Sequence, residues 1–158
     1  MLFIFSLQNS NAEKLVVGLI LYSTGKYADA EEVLLSVQDM TMQFGSAKVG
    51  LYLGDLSLLQ EDYERAIEFY EGNSWSNTGR FFGVNLAWTY FQSGRIEESF
   101  KLLDDAIEQS SVLWETSPAY LLSVRAQLYA LAFDYDSAIA DMDDRWRSSG
   151  RAHQPRRA

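Results

Sequence analysis

Between residues 82 and 107 the apolar positions fall into two runs of helical spacing, parted by a short polar break. In FGVNLAWTYFQSGRIEESFKLLDDAI, Val84, Trp88 and Phe91 mark one stripe, with Leu86, Ala87 and Tyr90 beside it. After Ser93-Gly94-Arg95 a second stripe runs through Ile96, Phe100, Leu103 and Ile107. Both keep the 3.6-residue period of an amphipathic helix, so the stretch predicts a helix, a tight turn and a second helix. One such hairpin cannot bury two apolar stripes and needs neighbours of its own kind.

The rest of the chain supplies them. Ser10 and Glu13 have capping-box spacing, which starts a helix near Asn11 carrying Leu15, Gly18, Leu19 and Tyr22 up to Thr24-Gly25. A second helix begins near Tyr27 with Ala30, Val33, Leu34 and Val37. Gly45 introduces a third with Val49, Tyr52, Leu53, Leu56 and Leu59. Gln60-Glu61-Asp62 turns into a fourth with Tyr63, Ala66, Ile67 and Tyr70, and Glu71–Asn77 reads as a loop dense in turn formers. Ser117-Pro118 places a cap before proline at the first helical position, opening a helix with Tyr120, Leu121, Val124, Leu128 and Leu131. After Phe133-Asp134 a last helix carries Tyr135, Ala138, Ile139, Met142 and Trp146. No run alternates apolar and polar residues for long enough to make a strand, and the fold class is all-α.

The two ends differ from this body. Residues 1–10 open with an apolar stretch, Met1–Leu7, too short to span a bilayer and lacking a basic start. It is expected to be the remnant of a preceding helix packed on the first hairpin, with a cleaved signal as the alternative. Residues 148–158 have no apolar periodicity and are expected to be a disordered basic tail. A tether to an anionic partner, or a strand folding back on the acidic body, are its other readings.

Charge sharpens the contrast. All 22 acidic residues lie within 1–144 against eight basic ones, a net of −14, whereas the last fourteen residues hold five arginines and no acid. An acidic body repels nucleic acid and anionic membranes and suits a partner of basic character; it also serves plain solubility. The chain has no cysteine, which removes disulfides and thiolate metal sites and fits a reducing, cytoplasmic setting. With 158 residues, 11–147 can form one helical domain with a sizeable core.

The inter-helix turns repeat one another: Gly25-Lys-Tyr27-Ala-Asp-Ala30, Glu61-Asp-Tyr63-Glu-Arg-Ala66, Gly94-Arg-Ile96-Glu-Glu-Ser99 and Phe133-Asp-Tyr135-Asp-Ser-Ala138, spaced 36, 33 and 39 residues apart. Each has a bulky residue followed three positions on by a small one, and then a large one at Leu34, Tyr70, Leu103 or Met142. The bulky residue is expected to fill the hairpin seam and the small one to let the helices approach. This pattern resembles the tetratricopeptide repeat, whose period is about 34 residues. On that register Gly18, Gly54, Ala87 and Ala126 take the small position of the first helix. Tyr90 and Tyr129 take the first aromatic position, from which Leu21 and Ser57 depart. The proline that usually ends each repeat is missing.

The resemblance implies a right-handed α-solenoid of about four antiparallel hairpins, with the first helices lining a concave groove. The lining positions become Leu15, Leu19 and Tyr22; Lys48, Leu51, Asp55 and Leu58; Phe81, Val84, Trp88 and Phe91; Tyr120, Ser123, Gln127 and Ala130. This groove is apolar and aromatic, with Asp55 as its clearest charge. Trp88, Phe91 and Tyr120 serve either as lining or as plain core between hairpins. Chaperone-binding members of the family hold a peptide carboxylate with basic residues where this chain has Leu15 and Leu19, with Asn85 the only near match, so that function is rejected. The pentatricopeptide repeat, an RNA binder, shares the hairpin, but a body of net −14 opposes a polyanion.

Catalytic signatures are missing. Gly18 and Gly25-Lys26 have the wrong spacing for a P-loop, and Tyr27 stands where Ser or Thr must meet magnesium. The sole histidine, His153, lies in the basic tail, so no ordered base serves a triad or a multi-histidine metal site. Asp141, Asp143 and Asp144 lack the glycine and distal glutamate of a calcium loop and read as a solvated helix face, as do Glu97-Glu98 and Asp104-Asp105. No enzyme activity, cofactor or metal is expected. The expected function is a protein–protein interaction module that buries a partner's apolar anchors, with a slice of a longer solenoid in a multiprotein assembly as the first alternative and a pentatricopeptide-type RNA binder as the second.

Overall fold

A computed structural model describes residues 11–38, 46–72, 79–110 and 117–151, and side chains over 11–38, 49–72, 83–109 and 117–148. The apolar start, the Ser10 cap, Gly45, most of the 71–77 loop, the side chains of Lys48 and Phe81, and His153 lie outside these residues. The described residues form eight helices and no strand: α1 (Asn11–Ser23), α2 (Tyr27–Gln38), α3 (Ser46–Leu59), α4 (Tyr63–Gly72), α5 (Gly79–Gln92), α6 (Ile96–Ser110), α7 (Pro118–Leu131) and α8 (Tyr135–Arg151). The chain divides into two compact units, Met1–Asn73 and Ser74–Ala158. In the first, α1 packs on α2, α2 on α3, and α3 on α4. In the second, α5 packs on α6, α6 on α7, α7 on α8, and α5 also meets α7. Each unit is thus two hairpins stacked in chain order.

The four turns are built alike. Gly25, Glu61, Gly94 and Phe133 all have left-handed backbone, with φ of 77, 59, 84 and 63°. At each, the next amide reaches back five residues: Lys26 N donates to Leu21 O, Asp62 N to Ser57 O, Arg95 N to Tyr90 O and Asp134 N to Tyr129 O, at 2.8–2.9 Å. This is the Schellman closure, which satisfies carbonyls that the end of a helix would otherwise leave unpaired. Two turns also cap the following helix, with Asp62 Oδ1 accepting from Arg65 N and Asp134 Oδ1 from Ser137 N. Ser117 precedes Pro118 with extended backbone (ψ 130°), and its carbonyl accepts from Tyr120 N.

Small residues set the hairpin seams. A Cβ on Gly18 would lie 2.8 Å from Leu34 Cδ2, and one on Gly54 only 2.3 Å from Tyr70 Cε1. Ser99 reaches across its seam and donates to Ala87 O at 2.7 Å. Ala30, Ala66, Ser99 and Ala138 are all buried, as the pattern requires. The bulky residue three positions earlier behaves differently from expectation: Tyr27, Ile96 and Tyr135 are exposed and do not fill the seam. Each is the first residue of its helix, at the end of the hairpin beside the turn, where less of the partner helix lies over it.

Unit one is cored by Ala30, Leu34, Val37, Val49, Leu53 and Leu56; unit two by Val84, Ala87, Leu103, Leu121, Val124 and Leu128. Helix α8 continues to Arg151, past the point where the apolar pattern stops at Ser148.

Candidate partner-binding site

On α1, Gly18 meets Leu34 of its own second helix, and Leu15, Leu19 and Tyr22, half-buried on the same face, pack on the core beside it. On α3 the corresponding face carries Leu51, Asp55 and Leu58, all half-buried. Tyr22 lies edge-on to Tyr52 of α3 with centroids 5.0 Å apart, and tilted against Tyr27 of α2 at 6.0 Å.

Asp55 is not the open charge that its place on the helix predicts. Its Oδ1 accepts from the Tyr70 hydroxyl at 2.6 Å and its Oδ2 from the Tyr22 hydroxyl at 3.3 Å. Tyr70 is fully buried, so the carboxylate ties α4 and α1 to α3. Burial, followed by the neighbouring Asp55 charge and hydrogen bond, pushes the Tyr22 phenol up to about 12. The result is a neutral hydroxyl over a carboxylate, framed by leucines. Nothing in the spacing of Tyr22, Asp55 and Tyr70 announces this cluster, because it forms only when α1, α3 and α4 pack.

In unit two the row from α5 splits. Val84 is buried core and offers no surface of its own. Trp88 and Phe91 are half-buried against the core, with the Phe91 ring perpendicular to Phe100 at 6.4 Å. From α7, Tyr120 and Gln127 are exposed, and Ser123 and Ala130 are half-buried, with Ser123 Oγ donating to Tyr120 O at 2.6 Å. Of the three aromatics with two readings, Tyr120 lies at the surface, and Trp88 and Phe91 each pack on the core while keeping part of the ring exposed.

One ion-pair cluster escaped the sequence reading. The Arg125 guanidinium grips Asp141 with both arms, Nε to Oδ2 at 2.8 Å and Nη2 to Oδ1 at 2.7 Å, and its Nη1 donates to Asp104. Asp141 is buried, which corrects its reading as part of a solvated acidic face. The available signal was its spacing: Asp141 follows the buried Ala138 by three residues and shares its face. Arg125 thus fastens α6, α7 and α8 together. Stacking of Phe100 on Tyr129, with centroids at 4.2 Å and planes 17° apart, adds to the same junction.

Among the described residues no group of three or more His, Asp or Glu side chains is placed to hold a metal ion, and no helix is long and apolar enough to cross a membrane.

No curated protein matches the sequence. Solved structures do match in fold. Nearly identical TPR-like repeats of a Podosopora anserina kinesin light chain-type protein superpose with a TM-score of 0.74 at 14% identity, over 97% of this chain and 82% of that one. A point variant of it gives 0.76 at 14% identity over 97% and 81%. BtubC (BKLC) from P. vanneervenii gives 0.73 at 16% identity over 94% and 68%. The sequence model of the tetratricopeptide repeat matches residues 84–108, the hairpin on which the apolar pattern is clearest. That hairpin matches the tetratricopeptide repeat, and the chain has the all-α helical-repeat fold of tetratricopeptide-like proteins.

Proposed function

We propose that the chain is a non-catalytic, cytoplasmic interaction module that takes a protein segment with apolar anchors and basic flanks on the faces of its first helices. The observation that carries this reading is the half-buried apolar row of Leu15, Leu19 and Tyr22 beside Leu51 and Leu58, in a tetratricopeptide-like fold. Half-buried leucines and tyrosines are fixed by the core beneath them, so they offer contact area at low entropic cost. Trp88, Phe91 and Gln127 form the corresponding lining in unit two. Asp55 contributes as a positioning group: by holding the Tyr22 hydroxyl it fixes the ring that a ligand would meet. The acidic body, net −14 over residues 1–144, favours a cationic partner and opposes RNA.

Affinity capture with the intact chain, identification of the bound protein, and titration of Leu19→Ala and Trp88→Ala test it. Each substitution trims surface beside the core and is expected to weaken capture about ten-fold or more with the helical signal intact. Unchanged affinity in both variants refutes the site, and capture lost steeply with salt in favour of RNA refutes the partner class.

A further inference from the structure

Helix α8 repeats the register of α6. Ile96, Phe100, Leu103 and Ile107 of α6 correspond, 39 residues on, to Tyr135, Ile139, Met142 and Trp146. In α6 this stripe receives α7: Leu103 is buried, and Phe100 stacks on Tyr129. In α8 the same stripe faces solvent, with Ile139 61% and Trp146 78% exposed.

The opposite face is open on α1. Gly25 and Phe133 occupy the same turn position, so α1 corresponds to α7 with an offset of 108 residues. Val124 and Leu128 of α7 are buried, yet their counterparts Val16 and Ile20 are 54% and 55% exposed. One helix therefore shows a donor face of a repeat junction and another shows the acceptor face.

We propose that the exposed stripe of α8 takes the exposed face of α1 from a second copy of this chain, giving head-to-tail association. The α6–α7 junction supplies the alignment. There Phe100 meets Tyr129 and Asp104 meets Arg125, so the helices run antiparallel and the next turn sets Glu108 level with Leu121. Transferred to α8 and α1, the same alignment sets Ile139 against Leu21, leaves Asp143 at the exposed rim beside Val17, and brings Arg147 level with Glu13. The last pair is of opposite charge. Arg147 at present meets Asp144 of its own helix at 2.8 Å, with both side chains largely exposed, a contact that exchanges at little cost. Because the two faces differ, the contact is heterologous, the head-to-tail kind that builds rings or open chains.

Sedimentation velocity of the intact chain over a wide concentration range tests the proposal. The expected result is reversible growth beyond a dimer. Ile139→Glu on α8 and Ile20→Glu on α1 sit on exposed positions, keep the helical signal, and should each abolish self-association. Mixing the two variants should restore a one-to-one dimer and nothing larger, since each retains one intact face. Arg147→Glu should weaken association roughly two- to five-fold, the scale of an exposed ion pair. A monomer at every concentration overturns the proposal. Association that survives in both variants, or that is lost only on changing α8, overturns it in favour of non-specific contact or an α8–α8 pair.

Discussion

Placing a methyl group on Gly54 should destabilise the protein even though alanine is the better helix former. An ideal Cβ there lies 2.3, 2.6 and 2.8 Å from Cε1, Cζ and Cδ1 of Tyr70. Carbon atoms rest about 3.5–4.0 Å apart, so the ring must retreat by more than 1 Å. It cannot swing freely: Tyr70 is fully buried, and its hydroxyl is held 2.6 Å from Asp55 Oδ1. Overpacking costs about 1–3 kcal/mol, and straining a hydrogen bond to a charged group about 1.5–3 kcal/mol. The helix-propensity gain of about 1 kcal/mol offsets part of this, leaving a net loss of about 2–4 kcal/mol. Gly83→Ala is the control, because it sits inside α5 with nothing within 4 Å of the new methyl. It should stabilise by about 0.5–1 kcal/mol. Urea unfolding followed by far-UV circular dichroism compares the two, and for Gly83→Ala tryptophan fluorescence adds a local probe, since all four tryptophans lie in 74–158. A second variant tests the cause. Gly54→Ala with Tyr70→Leu copies the Ala87 and Leu103 pairing that the next hairpin buries without difficulty. The double variant should lose less than the two single losses combined, by about 1 kcal/mol. A neutral Gly54→Ala, or strict additivity, refutes the reasoning.

Arg125→Ala strands the buried Asp141 carboxylate and should cost about 3 kcal/mol by the same unfolding assay, most of it from Asp141, because Asp104 is half-exposed. Phe133→Gly removes a side chain that is 79% exposed from a left-handed position (φ 63°). Relief of about 1–2 kcal/mol of backbone strain, less glycine's entropy in the unfolded chain, should raise stability by about 0.5–1 kcal/mol and the melting temperature by a few degrees. Tyr22, pushed up to about 12, keeps its proton in the folded state where the unfolded chain loses one near pH 10. Its stabilising share is therefore complete below about pH 10 and lost as pH rises toward 12, a slope that Tyr22→Phe should flatten in alkaline denaturation. Tyrosinate absorbance that shows Tyr22 ionising with the exposed tyrosines would contradict it.

Helices and turns were legible because each depends on neighbours in sequence. Apolar residues three and four apart, Gly25 and Gly94 after helix ends, and Ser117-Pro118 all act within a turn or two. What escaped depends on residues brought together by packing. Asp55 reads as an open charge on α3 because Tyr22 is 33 residues away and Tyr70 fifteen. Asp141 reads as one of three acids on a wet helix because its partner, Arg125, sits on another helix. Tyr27, Ile96 and Tyr135 recur so regularly that they look like seam residues, yet each opens its helix at the end of a hairpin and is exposed there. The faces of α1 and α3 were placed by resemblance, and no local feature separates lining from core at Val84, Trp88 and Phe91.

The same contrast explains why the sequence model of the repeat covers only residues 84–108 while the fold extends over nearly the whole chain. A hairpin seam requires complementary volumes, not particular residues. Gly18 is matched to Leu34, Gly54 to Tyr70 and Ala87 to Leu103: as the partner grows from leucine to tyrosine the first position must stay glycine, and with leucine either glycine or alanine serves. The turns show equal tolerance. Four identical backbone closures are made by two glycines, a glutamate and a phenylalanine, the last two at a strain of about 1–2 kcal/mol each. Such strain persists only where packing on both sides over-determines the turn. Stacked hairpins supply that packing, so the fold holds its geometry while its residue signature drifts. The tetratricopeptide pattern stays readable where the local requirements were met by the usual residues, and elsewhere survives as shape.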